Sequence, residues 1–142
     1  VALTYLRTLC SEGKARYAIN GLKERDFVYL HVEAPDEAGH MGNLQLKIEA
    51  IEAFDEKIVG PVLKGLKTFE RYKVLVLPDH PTPLSIRTHA GDPVPYVIYS
   101  NGDGAEVAHG EAFDEQSAAK TRIFIERGFE LIERFFSPRH QG

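Results

Sequence analysis

Residues 27–43 read FVYLHVEAPDEAGHMGN. Residues 27–32 are β-branched and aromatic, too few and too apolar for a helix, so they read as a strand. Residues 33–43 are polar and punctuated by Pro35, Gly39 and Gly42, so they read as a loop. Asp36 and His40 fall inside that loop. Open α/β folds bind ligands beyond the C-terminal ends of their strands, which is where these two residues then lie.

Downstream, Leu44, Ile48, Ile51, Phe54 or Asp55, and Ile58 recur at spacings of three and four. They predict a long amphipathic helix, with Gly60-Pro61 as a kink or break before residues 62–66. Residues 73–77, KVLVL, suit a strand buried on both faces. Residues 78–95 form a proline-rich loop without periodicity, and loops of that length are usually functional or disordered. Residues 96–99, YVIY, read as a third strand, and 101–104, NGDG, as a turn. Helices are expected over 114–120 and 123–136. Upstream, Ser11 is a candidate N-cap for a helix over 11–23, with Ala15, Ala18, Ile19 and Leu22 on one face. Strands alternating with helices predict an α/β sheet, parallel in large part.

A length of 142 residues suits one domain. The net charge of -4 is spread along the chain without a long single-sign block, so the clustered basic footprint of a nucleic-acid partner is missing. No apolar run reaches the roughly 18–20 residues of a membrane span, and no signal peptide is visible. Cys10 is the single cysteine, which excludes an intramolecular disulfide and a CxxC metal site and makes a reducing, cytoplasmic setting the default. Met41 is the only methionine, and a piece of a longer protein is the simpler reading of that.

The chemistry-bearing residues gather beyond the predicted strands. Asp36 and His40 occupy the first loop; Asp79 and His80 adjoin the end of the second strand; His89 follows nine residues later. Oxygen and imidazole ligands without thiolate suit zinc or manganese. Each pair alone is common in solvated loops; their combination in Gly- and Pro-rich segments points to metal. Lys47, one turn into the following helix, is a candidate phosphate contact, though a solvated helix position is the plainer account. Arg87 is a second candidate, since its fork suits bidentate phosphate contact. Glu33 and Glu37 flank Asp36 and are candidates for orienting the histidines. His31 reads as a hydrogen-bonded strand histidine, His109 and His140 as surface residues, and Cys10 as a small apolar residue rather than a nucleophile.

The same residues carry a resemblance. HVEAPDEAGHMGN followed by QLKIEAIEAFD resembles the metal-binding segment of archaeal-type cofactor-independent phosphoglycerate mutases, whose pattern runs close to HVEAPDEAGHxGD. LPDHPTPLSIRTHAGDPVPYVIY resembles their later DHxTP, His and DPVP segment, and FDEQSAAKTRIFIERGFELI their C-terminal region. The resemblance runs from about Gly13 to near the end of the chain, and the wider group is the alkaline phosphatase superfamily. It implies part of a three-layer sandwich, a mostly parallel sheet flanked by helices. This chain would be the C-terminal metal-binding portion, residues 1–142, with the N-terminal half absent.

By position, Asp36, His40 and His89 match the ligands of one metal, and Asp79 and His80 two ligands of a second. Two divalent ions, manganese or zinc, are thereby implied in the whole enzyme. They would clamp a phosphoryl group passing between the hydroxyls of 3- and 2-phosphoglycerate through a phosphorylated Ser or Thr. No residue here matches that nucleophile; Thr4 and Thr8 lack the expected Asp-rich context. Asn43 stands where the family usually has Asp. The implied partner is phosphoglycerate or a similar small phosphorylated acid. Self-association is also expected if sheet edges or apolar faces are left uncovered. Two other readings stand beside this one. The first is another phosphatase or phosphotransferase of the superfamily, with phosphonopyruvate decarboxylase or homoserine kinase as labels such relatives attract. The second is a domain that keeps the fold without catalysis.

Overall fold

Helical geometry, rather than loop, governs the residues around Asp36. The computed structural model describes residues 12–102 and 112–137. Thr4, Thr8, Cys10, Ser11, His109 and His140 lie outside them, as does half of the turn expected over 101–104. The described chain divides into two units, residues 12–69 with 80–91, and residues 70–79 with 92–102 and 112–137.

In the first unit, α1 (Glu12–Leu22) buries Ala15 and Ala18. Its Ile19 side chain lies so close to Gly65 that a Cβ there would sit 2.7 Å from Ile19 Cγ1, so glycine is what admits the contact. Residues 27–32 form no strand. Their β propensity needs a neighbouring ladder to be realised, and among the described residues none pairs with them.

Residues expected to be loop form α2 (Ala34–His40) instead. Pro35 sits in its first turn, where a missing N–H costs nothing. Asp36 and Glu37 occupy the positive end of the helix dipole and His40 the negative end. Gly42, at φ 65°, ends the helix in the left-handed region. The Gly42 N–H donates to Gly39 O (3.0 Å) and the Asn43 N–H to Ala38 O (3.4 Å), the paired bonds of a Schellman motif. The Pro and Gly that suggested a loop are therefore the start and stop of a short helix.

Asn43 then caps α3 (Leu44–Phe54), its side-chain oxygen accepting from Leu46 N–H at 3.0 Å. Asp caps as well as Asn does, so the departure from the family's usual residue keeps the local role. Helix α3 runs through a π turn (Asp55–Val59) into α4 (Gly60–Leu66). Gly60-Pro61 does not break the rod. Pro61 lacks an N–H to bond back to Lys57, and the preceding turn has widened so that Gly60 N–H bonds Asp55 O.

The core face of α3 also differs from the expected one. Leu46 and Ala50 are buried against Ala34 and Ala38 of α2, with Val32, Ala53 and Phe54 packed around them. Leu44, Ile48 and Ile51, three of the residues read as the apolar stripe, face outward at 62%, 42% and 50% exposure. Small side chains on the inner face let two helices approach closely, and that approach fixes α2 in place.

In the second unit, β1 (Lys73–Val76) and β2 (Val97–Ser100) pair antiparallel, with Lys73 opposite Ser100 and Val76 opposite Val97. Both lie within a residue of the expected spans. The pairing is not the parallel kind expected, and β1 is half-buried rather than covered on both faces. Asn101 extends the ladder, its Oδ1 accepting from Tyr72 N–H at 2.7 Å and its Nδ2 donating to Glu70 O at 3.0 Å. Asp114 caps α5 (Glu115–Lys120). The helix expected over 123–136 is shorter: a 3-10 turn (Gly128–Glu130) leads into α6 (Leu131–Phe136). Arg122 is left-handed at φ 57°, and the β-branched and aromatic run after it is a poor helix former. Lys73 Nζ donates to Ser137 O (3.0 Å) and Phe135 O (3.4 Å), carbonyls at the end of α6.

Candidate metal centre

Helix α2 places Asp36 and His40 one turn apart on a single face. Residues 80–91, in the same unit, fold into a tight loop facing them. Ala90 N–H bonds Pro81 O (3.0 Å), and Arg87 N–H bonds Pro83 O (2.9 Å). Pro81 and Pro83 restrict the backbone, and Arg87 turns it through the left-handed region at φ 54°.

The loop brings His80 and His89 to the α2 carboxylate. His40 Nε2 lies 3.1 Å from His89 Nε2 and 3.3 Å from Asp36 Oδ2; His89 Nε2 lies 3.6 Å from Asp36 Oδ1. The His80 ring stacks on His89 with centroids 3.7 Å apart. Asp36, His80 and His89 each offer a donor atom within 4.8 Å of the others. A tetrahedral ion with bonds of about 2.0–2.1 Å has donor–donor edges of roughly 3.4 Å, so the 3.1–3.6 Å separations among Asp36, His40 and His89 fit one coordination sphere. His89 is half-exposed, which leaves an entry route from solvent.

The tautomer of His40 follows from its neighbour. Its Nδ1 lies 2.9 Å from the Arg87 carbonyl oxygen, which can only accept. Nδ1 therefore carries a proton, and Nε2, the atom that meets Asp36 and His89, is the nitrogen left to face a metal. A backbone carbonyl in that role is the usual way a protein orients a metal-binding imidazole.

The other residues singled out in the sequence fall as follows. Asp79 is exposed and belongs to the second unit. His80, which the resemblance pairs with Asp79, lies beside Asp36 and His89. Lys47 is half-buried and its Nζ donates to Thr82 O at 2.6 Å, linking α3 to the loop. The Arg87 side chain lies against Gly42, where a Cβ would come within 2.8 Å of the guanidinium carbon. Glu33 sits 3.9 Å from His31 rather than against the clustered histidines, and His31 stacks on Tyr29. Glu37 is half-buried in the first turn of α2.

Thr82 was not singled out by sequence. It is 4% exposed, its hydroxyl donates to Asp36 Oδ1, and the same oxygen lies 3.4 Å from His80 Nδ1. Its place as the Thr of the DHxTP pattern is the available signal.

Known proteins share this arrangement of sequence. A protein of Geobacter sulfurreducens described as a probable 2,3-bisphosphoglycerate-independent phosphoglycerate mutase is 50% identical over 122 residues, which is 86% of this chain and 30% of that one. A 2,3-bisphosphoglycerate-independent phosphoglycerate mutase of Methanosarcina barkeri is 53% identical over 122 residues, 85% of this chain and 30% of that one. The solved structure of the PH0037 protein from Pyrococcus horikoshii superposes with a TM-score of 0.65 at 36% identity, over 75% of this chain and 31% of that one. The chain thus spans about 30% of the length of the curated relatives it matches. The model of the Metalloenzyme superfamily matches residues 4–124, and a chain with that match and an Asp/His cluster of metal-binding dimensions belongs to the Metalloenzyme superfamily.

Proposed function

We propose that this chain supplies the metal-binding part of a 2,3-bisphosphoglycerate-independent phosphoglycerate mutase, interconverting 3- and 2-phosphoglycerate through a phosphoenzyme. The observation that carries the reading is the convergence of Asp36, His40, His80 and His89, in a chain about half identical to proteins bearing that name. Asp36, His40 and His89 would hold one divalent ion, and Asp79 and His80 would contribute to a second. Carboxylate and imidazole donors favour manganese or zinc. Ions held there would neutralise charge on phosphoryl oxygens and lower the pKa of an attacking hydroxyl. The protein's own part is to hold the donors rigidly, as the Arg87 carbonyl holds His40. Arg87, exposed on the loop, is our candidate phosphate contact; Lys47 joins it only by releasing the Thr82 carbonyl.

On this reading residues 27–32 occupy a strand position in the mostly parallel sheet of a three-layer sandwich. No helix among the described residues is long and apolar enough to cross a membrane, and we place the protein in the cytoplasm. The outward apolar stripe of α3 supports self-association. A second reading, another phosphatase or phosphotransferase of the superfamily, has the same metal donors in its favour, because substrate choice resides elsewhere in such sites.

The test uses the chain with its flanking sequence, supplied with manganese and 3-phosphoglycerate and followed by phosphorus NMR. Formation of 2-phosphoglycerate is expected. Release of inorganic phosphate alone would replace the mutase with a phosphatase. Neither product, with metal still bound, would make this a non-catalytic domain.

A further inference from the structure

Thr82 is the buried polar side chain nearest the cluster that the proposed chemistry does not use. Its backbone is pinned from two sides. Lys47 Nζ holds its carbonyl at 2.6 Å, and α2 approaches so closely that a Cβ on Gly39 would sit 2.7 Å from the Thr82 carbonyl oxygen. A hydroxyl held this firmly has few rotamers to lose and can act as a fixed reference for its neighbours.

Its hydrogen bonds can be assigned by counting protons. A threonine hydroxyl has one proton, and an ionised carboxylate can only accept. The proton therefore goes to Asp36 Oδ1. The hydroxyl oxygen is then an acceptor toward His80 Nδ1, 3.4 Å away, so His80 carries a proton on Nδ1, which leaves Nε2 as its metal-facing nitrogen. With Oδ1 held by Thr82, the carboxylate presents Oδ2 to His40 Nε2 at 3.3 Å. One hydroxyl thus sets the rotation of a carboxylate and the tautomer of an imidazole. At 4% exposure it has no path to a substrate, which separates this role from that of a nucleophile.

We propose that Thr82 is a positioning residue for the metal centre, orienting Asp36 and His80 together through its single hydroxyl. This rests on the metal-binding reading above. The test compares Thr82→Val, which keeps the shape and removes the hydroxyl, with Thr82→Ser, which keeps the hydroxyl. Cobalt(II) titration of the whole chain is followed by its visible absorption, with thermal unfolding alongside. Thr82→Val should bind cobalt roughly 10–100-fold more weakly, with an altered visible band, and Thr82→Ser should restore both. A second measurement needs no variant: long-range nitrogen–proton NMR of the metal-free chain should find the His80 proton on Nδ1. Unchanged affinity and spectrum in a folded Thr82→Val, or a His80 proton on Nε2, would overturn the assignment and leave the metal reading standing. Failure of the unaltered chain to bind cobalt would overturn both.

Discussion

His40 shows how one backbone atom decides the character of a side chain. The Arg87 carbonyl accepts from Nδ1 and so turns Nε2 toward Asp36 and His89. That carbonyl points correctly because Arg87 is left-handed at φ 54°, a conformation uncommon for a residue with a Cβ. Backbone of this kind collects at functional sites, where surrounding contacts hold it. His89 has the opposite character: its side chain is 54% exposed and its contacts are with the other donors. Its truncation therefore separates metal binding from folding. His89→Ala should weaken zinc binding, measured by calorimetry, by more than the roughly 10–100-fold typical of losing an outer hydrogen-bond partner. Its stability in urea should move by less than about 0.5 kcal/mol, the ordinary range for surface changes. A large loss of stability with unchanged zinc affinity would make His89 a structural residue.

Capping residues govern the elements, and Asp114 makes one of them sensitive to acid. The Ser117 N–H bonded to its carboxylate at 2.7 Å holds Asp114 below the ordinary carboxylate range, assisted by the Ser117 hydroxyl, the Gln116 N–H and the charge of Lys120, and opposed by partial desolvation. The folded pKa lies below the unfolded one, so the cap's contribution is complete above the unfolded value of 3.8 and fades as pH falls through the lower folded value. The Ser117 amide should exchange with solvent at a constant rate, corrected for intrinsic pH effects, down to about pH 4 and lose protection below it. Asp114→Asn should flatten that dependence, and an unchanged acid profile in this variant would rule out the cap as its source. The same logic of element ends explains what the sequence showed. β1, β2 and the helix after Asp114 were legible because local propensity and capping agree there. Residues 34–40 were misread because Pro35 and Gly42 punctuate a helix as well as a loop, and only the Gly42 φ of 65° distinguishes them. Asp36 and His40 were found by residue type alone, whereas their shared face needed the helix. Thr82 stands in the DHxTP pattern, but its role is not legible there, because burial makes a hydroxyl important and burial has no signature in a single threonine.

For association between copies of the chain, what is buried matters less than what is not. Among the described residues nine apolar side chains besides Pro95 are buried, and five of these are alanines: Ala15, Ala18, Ala34, Ala38 and Ala50. An alanine removes far less apolar surface from water than a leucine does, so close helix contact is gained with little hydrophobic area. Larger side chains meanwhile stand outward, and Leu44, Ile48 and Ile51 form a continuous stripe along α3 on a face other than that of Leu46 and Ala50. A stripe of this kind on a free helix face is a favourable place for another copy of the chain to bury apolar surface. The apparent mass in light scattering should therefore rise with concentration. Replacing Ile48 and Ile51 together by Lys should weaken association at least about tenfold, since burying one isoleucine is worth roughly 1.5–3 kcal/mol. Neither residue belongs to the Asp36–His89 cluster, so zinc affinity should stay the same in the double variant. A monomer at every concentration would show that the stripe is tolerated as it stands, whereas association that persists in the double variant would move the contact to another surface.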